Sequence, residues 1–305
     1  MKTMNKLTFT AIDVNQFRNV KAYTDNKYVL FADEENKHLE SCKTRYNECF
    51  YFYKADTIIG QSLRHYGEYT DVEVQLMNQL LQPGYIVYDI GANIGYHTVG
   101  LSTKAKHVYA FEPNKKNYRL LQLNTQYNKN VTNYNVACSN HTNPMFIEDF
   151  DLDNPGNYGE CRIMSDGQLT ETVIIDNLVK NNKIEPPNLI KIDVEGHEYE
   201  VILGMLDTIK NNLPVIMYEH LHGEHLPKVH ELLVNMGYKI HWFPVPNYNP
   251  NNYKKNQQNI FGNGGVMNAV AFPFYLDVST NLPEKLTANE TWVECITRLQ
   301  NAQKN

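Results

Sequence analysis

From Thr70 to Gly237 the chain alternates short apolar runs with stretches whose apolar positions recur every three or four residues. Unbroken apolar runs suit strands buried on both faces, and the wider spacing suits helices. The first helix opens at "TDVE", a capping box with Thr70 at the N-cap and Glu73 reaching back. Leu76, Met77, Leu80 and Leu81 line one face, and Pro83-Gly84 ends it. Strand "YIVYDI" (85–90) then leads to a helix over about 94–103, and strand "HVYAF" (107–111) to a helix opening at Asn114, with Tyr118, Leu121 and Asn124 on one side. "VTNYNVA" (131–137) reads as a third strand. After a polar stretch, "TVIID" precedes a short helix, and "NLIKIDV" (188–194) precedes one carrying Ile202, Met205, Leu206 and Ile209. "LPVIMYEH" (213–220) leads to a helix with Leu226, Val229, Leu233 and Met236, closed by Gly237.

The rhythm breaks after Gly237. "YKIHWFPV" (238–245) and "VMNAVAFPF" (266–274) are strands with no helix between them. Their link, 246–265, carries Asn247, Asn249, Asn251, Asn252, Asn256, Asn259 and Asn263. Strands joined without a crossover pair antiparallel. The expected fold is therefore α/β: a Rossmann-like sheet, mostly parallel, with an antiparallel terminal hairpin and helices on both faces. Residues 1–60, with strand-like "KYVLFADEE" and "CFYFYKAD", form an N-terminal extension of mixed structure. Residues 61–280 form the main domain, and residues 281–305 add a helix, capped at "TANE" (287–290), that packs Trp292, Ile296 and Leu299 on it.

Bulk chemistry narrows the class. A net charge of −6 without a basic stripe argues against a nucleic-acid partner. Cys42, Cys49, Cys138, Cys161 and Cys295 have no CxxC spacing and an odd count, which suits reduced thiols in the cytoplasm better than a disulfide framework or zinc. No run has the length of a membrane span. The abundant Tyr, Asn and Lys also fit an AT-rich genome and carry no functional weight.

Ligands of open α/β sheets bind at the carboxyl ends of the strands. The first ends "DIGANIG", where Gly91 and Gly95 lack the middle glycine of a dinucleotide fingerprint, Asn93 stands nearby, and no phosphate-binding lysine follows. Asp89 would repel a phosphate and attract a cation. The second strand ends "AFEP", where Glu112 suits two ribose hydroxyls. An acid for an ammonium and an acid for a ribose describe an adenosine bearing an amino-acid tail, and S-adenosyl-L-methionine fits.

"VYDIGANIGYHT", "AFEPNKKNY", "NVACSN" and "IKIDVEGHEYEVILG", in this order and spacing, resemble the FkbM family of class I S-adenosylmethionine-dependent methyltransferases, as does the lead-in "SLRHYGEYTDVE". The resemblance covers roughly 58–222. It implies that Asp89, Gly91, Asn93 and Gly95 surround the methionine part of the cofactor, that Glu112 holds the ribose, and that Asn135 and Ala137 flank the adenine. It also implies an active face at "KIDVEGHE", with Asp193 beside the methyl-donor position and Glu195 and His197 following. The next strand ends "YEHLHGEH" and adds Glu219, His220, His222, Glu224 and His225 at the same edge. Methylation of a hydroxyl needs its proton removed, which a positioned His or carboxylate supplies. Asp193, Glu195 and His220 are the candidates.

The expected activity is O-methylation of a small-molecule or glycan acceptor: a sugar, glycan, lipid or natural product. The alternatives are an RNA ribose methyltransferase and a catalytically silent cofactor-binding module. Blander readings stand beside these. The glycines permit a tight turn in any case, Asp193 can cap a helix, Glu195 suits a helix dipole, and His197 can face solvent. "EHLHGEH" invites a divalent metal such as magnesium. Adjacent strand residues point to opposite faces, however, so Glu219 and His220 do not converge and no metal ligand is assigned. The Asn-rich link is either disordered or a flap touching the substrate.

Overall fold

A computed structural model of the chain describes residues 36–220, 225–276, 278 and 280–302. The strand expected over 27–35, the remaining residues before 36, and His222 and Glu224 lie outside these. The described chain opens with a hairpin, β1 (Leu39–Cys42) and β2 (Phe50–Tyr53), followed by α1 (Ile59–Tyr66) and α2 (Asp71–Leu80). Alternation then begins: β3 (Ile86–Ile90), α3 (Tyr96–Ser102), β4 (His107–Phe111), α4 (Lys115–Thr125) and β5 (Val131–Tyr134). Short strands β6 (Ala137–Cys138), β7 (Met145–Ile147), β8 (Ile163–Met164), β9 (Gln168–Thr170) and β10 (Thr172–Val173) make two small sheets beside the main one. After α5 (Ile175–Lys180) come β11 (Leu189–Ile192), α6 (Glu198–Leu203), α7 (Leu206–Asn212), β12 (Val215–Glu219), α8 (Leu226–Asn235), β13 (Tyr238–Pro246), β14 (Gly265–Pro273) and α9 (Trp292–Ala302).

The central sheet has the order β13-β14-β12-β11-β3-β4-β5. The pairs from β12 to β5 are parallel, and β14 runs antiparallel to both β12 and β13. This is the expected mostly parallel sheet with an antiparallel terminal hairpin. Both faces are covered. Ile86, Tyr88, Ile90, Ile190, Ile192, Ile216 and Tyr218 pack with residues of α6 and α8. Val87, Val108, Leu189, Val215 and Met217 pack with Met77 of α2 and Leu101 of α3. The switch point lies at β3, where the chain first builds outward through β4 and β5 and then returns to β11 on the other side. Among the described residues no helix is long and apolar enough to cross a membrane.

Several local expectations are corrected. Thr70 and Glu73 do not close a capping box: Thr70 has left-handed backbone and no side-chain cap bond. Its Oγ1 lies 3.2 Å from His97 Nε2, which also lies 3.0 Å from Glu73 Oε2, so a tertiary partner takes both ends of the box. The third strand stops at Tyr134, and Ala137–Cys138 pairs instead with β10. The single helix expected after β11 is two, α6 and α7, divided at Gly204, where a Cβ would lie 2.0 Å from the Ser139 carbonyl oxygen. The last helix is capped by Thr291, not at "TANE": Glu294 N–H donates to Thr291 Oγ1, and Glu294 Oε2 accepts from Thr291 N–H and O–H.

The hairpin at 39–53 shares one apolar cluster with α1, α3 and α4, including Phe50, Phe52, Leu63, Val99 and Leu120. Buried Asn124 of α4 ties it down. Its Oδ1 accepts Tyr51 N–H at 2.7 Å, and its Nδ2 donates to the carbonyls of Tyr51 at 2.9 Å and Ile94 at 2.8 Å. Truncation would leave one donor and two acceptors unpaired in the core. Asn124→Ala should therefore lower the unfolding free energy by about 2–4 kcal/mol, read as a shift in urea midpoint.

Candidate active site

Register decides which side chains meet. Asp89, Lys191 and Met217 are aligned across β3, β11 and β12, and continuing the same alternation brings Asp193 and Glu219 to the carboxyl edge on that face. Asp89 is fully buried: Thr98 Oγ1 donates to its Oδ2 at 2.6 Å, and its Oδ1 has no hydrogen-bond partner. Lys191, also buried, lies 3.0 Å from Asp193 Oδ2 and 3.8 Å from Asp89 Oδ1. Burial works against its charge, but Asp193, Asp89 and Glu73 outweigh that and hold the ammonium above its ordinary range.

The turn after β3 is shaped for close approach. Gly91, Asn93 and Gly95 all have positive φ, and a Cβ on Gly91 would lie 1.7 Å from the Asp193 carbonyl oxygen. Glu112, at the tip of β4, accepts Asn93 N–H on Oε2 and Asn114 N–H on Oε1, each at 2.8 Å, so it straps the two loops together. Burial is the largest influence on its carboxyl and pushes it up to about 7, against the two N–H donors.

These loops open into one pocket. Its wall includes Gly91, Asn93, Glu112, Ala137, Asp193 and Glu195 of the expected set. Asp89, Gly95 and Asn135 stand behind that wall, and Asn135 Nδ2 donates instead to the carbonyls of Glu112 and Pro113. His220 is not brought to the pocket. It follows Glu219 on β12, so it faces the other way, and its ring packs edge-on against Trp242 at 4.7 Å between centroids. Burial and nearby Lys285 lower its pKa to about 4. His197, placed by the resemblance on the active-face turn, is half-buried on the wall with Nε2 2.9 Å from Ser139 Oγ.

Three further residues matter. Lys191 was detectable as a charge inside the apolar run "LIKI". Glu198 accepts Val194 and Gly196 N–H groups and so braces the turn that carries Glu195. Glu219, on the inward parity of β12, joins Asp193 and Glu195: one carboxylate oxygen from each lies within 4.8 Å of the others. Glu195 is held at φ 55, a backbone state that favours glycine. Burial first, and the neighbouring carboxylates second, push the Glu195 and Glu219 carboxyls well above the ordinary range.

The Asn-rich link packs on α1. Asn249 Nδ2 and Tyr253 N–H donate to Glu68, Lys254 Nζ donates to the Leu63 and Arg64 carbonyls, and Asn252 is buried. Of its residues, Asn247 and Gly265, at its two roots, line the pocket.

The donor set fits S-adenosylmethionine. The wall is acidic, which suits a ligand carrying a sulfonium and an ammonium. Glu112 suits a ribose, Val136, Ala137, Cys138, Met145 and Ile147 offer an apolar slot for a purine, and glycine at 91 lets its turn lie against the Asp193 carbonyl at the pocket wall.

Residues 89–240 match the model of the methyltransferase FkbM domain, and this stretch of the chain belongs to that family. The chain is 30% identical over 149 residues to the hexuronic acid methyltransferase AglP of Haloferax volcanii, an alignment covering 48% of this chain and 61% of that protein. Among solved structures it is similar to methyltransferase FkbM from Methylobacillus flagellatus KT, with 18% identity, a TM-score of 0.42, and 63% of this chain and 45% of that one covered. It is also similar to the Pyrococcus abyssi tRNA (uracil-54, C5)-methyltransferase in complex with S-adenosyl-L-homocysteine, with 11% identity, a TM-score of 0.40, and 77% and 44% covered.

Two outcomes follow from this geometry. Gly91→Ala must displace the Asp193 carbonyl, and should abolish S-adenosylmethionine binding by calorimetry while costing at least about 2 kcal/mol of stability. Glu112 binds its proton more tightly folded than unfolded. Its protonated form therefore stabilises the fold fully below about pH 4.5, and that contribution is lost as pH rises through about 7. Glu112→Gln should be less stable at acid pH yet show a flatter fall in melting temperature between those values. Summed over that range, the two proteins should differ in their loss of stability by at most ~3 kcal/mol.

Proposed function

We propose that this chain transfers a methyl group from S-adenosylmethionine to a hydroxyl of a sugar or glycan acceptor. The observation that carries the acceptor class is the likeness to a hexuronic acid methyltransferase, joined to a pocket whose outer wall is polar and acidic. The five cysteines are unpaired, which suits a reducing cytoplasm.

When bound, the cofactor supplies an electrophilic methyl on a sulfonium. The chain supplies position and proton handling. Gly91 and Asn93 admit the methionine end, Glu112 meets the ribose hydroxyls, and Ala137 and Cys138 flank the base. On the acceptor side Asp193, Glu195 and Glu219 converge. Lys191 holds Asp193 Oδ2 at 3.0 Å, so Asp193 is placed to orient the hydroxyl by accepting its hydrogen bond. Glu195, whose carboxyl is pushed up to about 8 by burial and neighbouring acids, is matched to accepting the hydroxyl proton. Alignment of oxygen, methyl and sulfur supplies the rest. His220, on the opposite face of β12, takes no part.

Incubation with methyl-labelled S-adenosylmethionine and hexuronate-containing oligosaccharides should give a labelled methyl ether, identified by NMR. Asp193→Asn should reduce turnover by at least ~100-fold, with a melting temperature close to that of the parent. Turnover near that of the parent in this variant, or transfer to RNA but to no saccharide, would sink the reading.

A further inference from the structure

The convergence of Asp193, Glu195 and Glu219 asks for more than a proton. A group of acids at strand tips is ordinarily satisfied by water or by sharing protons, and grouping alone identifies no ligand. Glu219 adds an independent observation. It is 6% exposed, its Oε2 has no hydrogen-bond partner, and it lines the pocket beside the other two acids. A buried carboxylate oxygen without a donor is costly, so something in the pocket must meet it. The nearest fixed cation does not: Lys191 is engaged by Asp193 at 3.0 Å and Asp89 at 3.8 Å, on the inner side of the cluster. Glu195 adds its own constraint, because a non-glycine residue held at φ 55 is tolerated only where surrounding structure fixes it. Here Glu198 does so, by accepting the flanking N–H groups of Val194 and Gly196.

We propose that Asp193, Glu195 and Glu219 form a binding site for one hard divalent cation, Mg²⁺ or Mn²⁺, at the acceptor side of the pocket. The donors are all carboxylate oxygens, which select Mg²⁺, Mn²⁺ or Ca²⁺ over the thiolate- and imidazole-seeking metals. Both imidazoles on the wall are committed, His197 to Ser139 and Glu200 and His97 to Thr70 and Glu73. Three carboxylates leave coordination positions facing the pocket, where hydroxyl or carboxylate oxygens of an acceptor can bind. A sugar acid would otherwise bring its negative charge against three others, and a cation between them turns that repulsion into attraction. It also makes a ligated hydroxyl more acidic. This activating role rests on the function proposed above, whereas the binding site does not.

The full chain, stripped with chelator, should be titrated with Mn²⁺ and followed by electron paramagnetic resonance. One equivalent should bind, Mg²⁺ should compete for it, and Glu219→Gln and Glu195→Gln should each weaken it by at least about ten-fold. Glu231→Gln, on the exposed side of α8, should bind as the parent does. Glu195→Gln keeps the test decisive should Glu219→Gln fold poorly. Absence of saturable binding at millimolar Mn²⁺, or unchanged affinity in both variants, overturns the site. Methyl transfer that persists in chelator overturns the activating role and leaves the methyltransferase reading intact. Mn²⁺ binding without transfer to any saccharide upholds the site and counts against the acceptor.

Discussion

The buried ammonium of Lys191 is the constraint on which the carboxyl edge depends. β11 lies beside β3, so one charge on it reaches both Asp89 of β3 and Asp193 at its own tip. Without it, Asp89 would be a fully buried carboxylate with only a threonine hydroxyl to meet it, an arrangement that costs several kcal/mol. With it, Asp89 and Asp193 have a shared partner, and the turn between Gly91 and the Asp193 carbonyl can close to contact. The same ammonium is shared between those two partners. The acids one step further out, Glu195 and Glu219, are left to whatever enters the pocket.

The parallel strands were legible because each is buried on both faces and so reads as an unbroken apolar run. Their tips were legible because a ligand-binding edge must carry chemistry there; that reasoning reached Gly91 and Glu112, and the family resemblance added Asn93, Asp193 and Glu195. Features decided by distant partners were not. The box at Thr70 is locally well formed, yet His97, from α3, captures both of its ends. The break between α6 and α7 follows from Gly204 passing the Ser139 carbonyl, a contact that no periodicity records. Asn135 resembles a base-contacting residue in its motif, but its amide is spent on the Glu112 and Pro113 carbonyls. His220 shows the limit most plainly. The alternation of β12 said that it and Glu219 point apart, but only the position of Trp242 shows which of the two faces the pocket.

The Asn-rich link illustrates how composition misleads. A polar tract between two strands suggests either looseness or a flap. Here its amides act as substitutes for regular backbone pairing: Asn252 Nδ2 donates to the carbonyls of Asn249 and Asn256, and Asn256 Nδ2 to that of His65. Tyr66 adds to the tie, accepting Ile260 N–H and donating to the Gln258 carbonyl. The segment is thereby fixed to α1, and its influence on the pocket passes through its two roots.

The pocket wall is assembled in two ways. The part that meets the proposed cofactor comes largely from one contiguous stretch, 90–138, whereas the rest of the rim is drawn from 58–69, 157–163, 193–197 and the roots of the 246–265 link. Outside 193–197, substitutions in those rim segments can accumulate without disturbing the strands that hold Asp89 and Lys191. A lineage built on this scaffold can thus change what it modifies while inheriting unchanged how it carries the group it transfers.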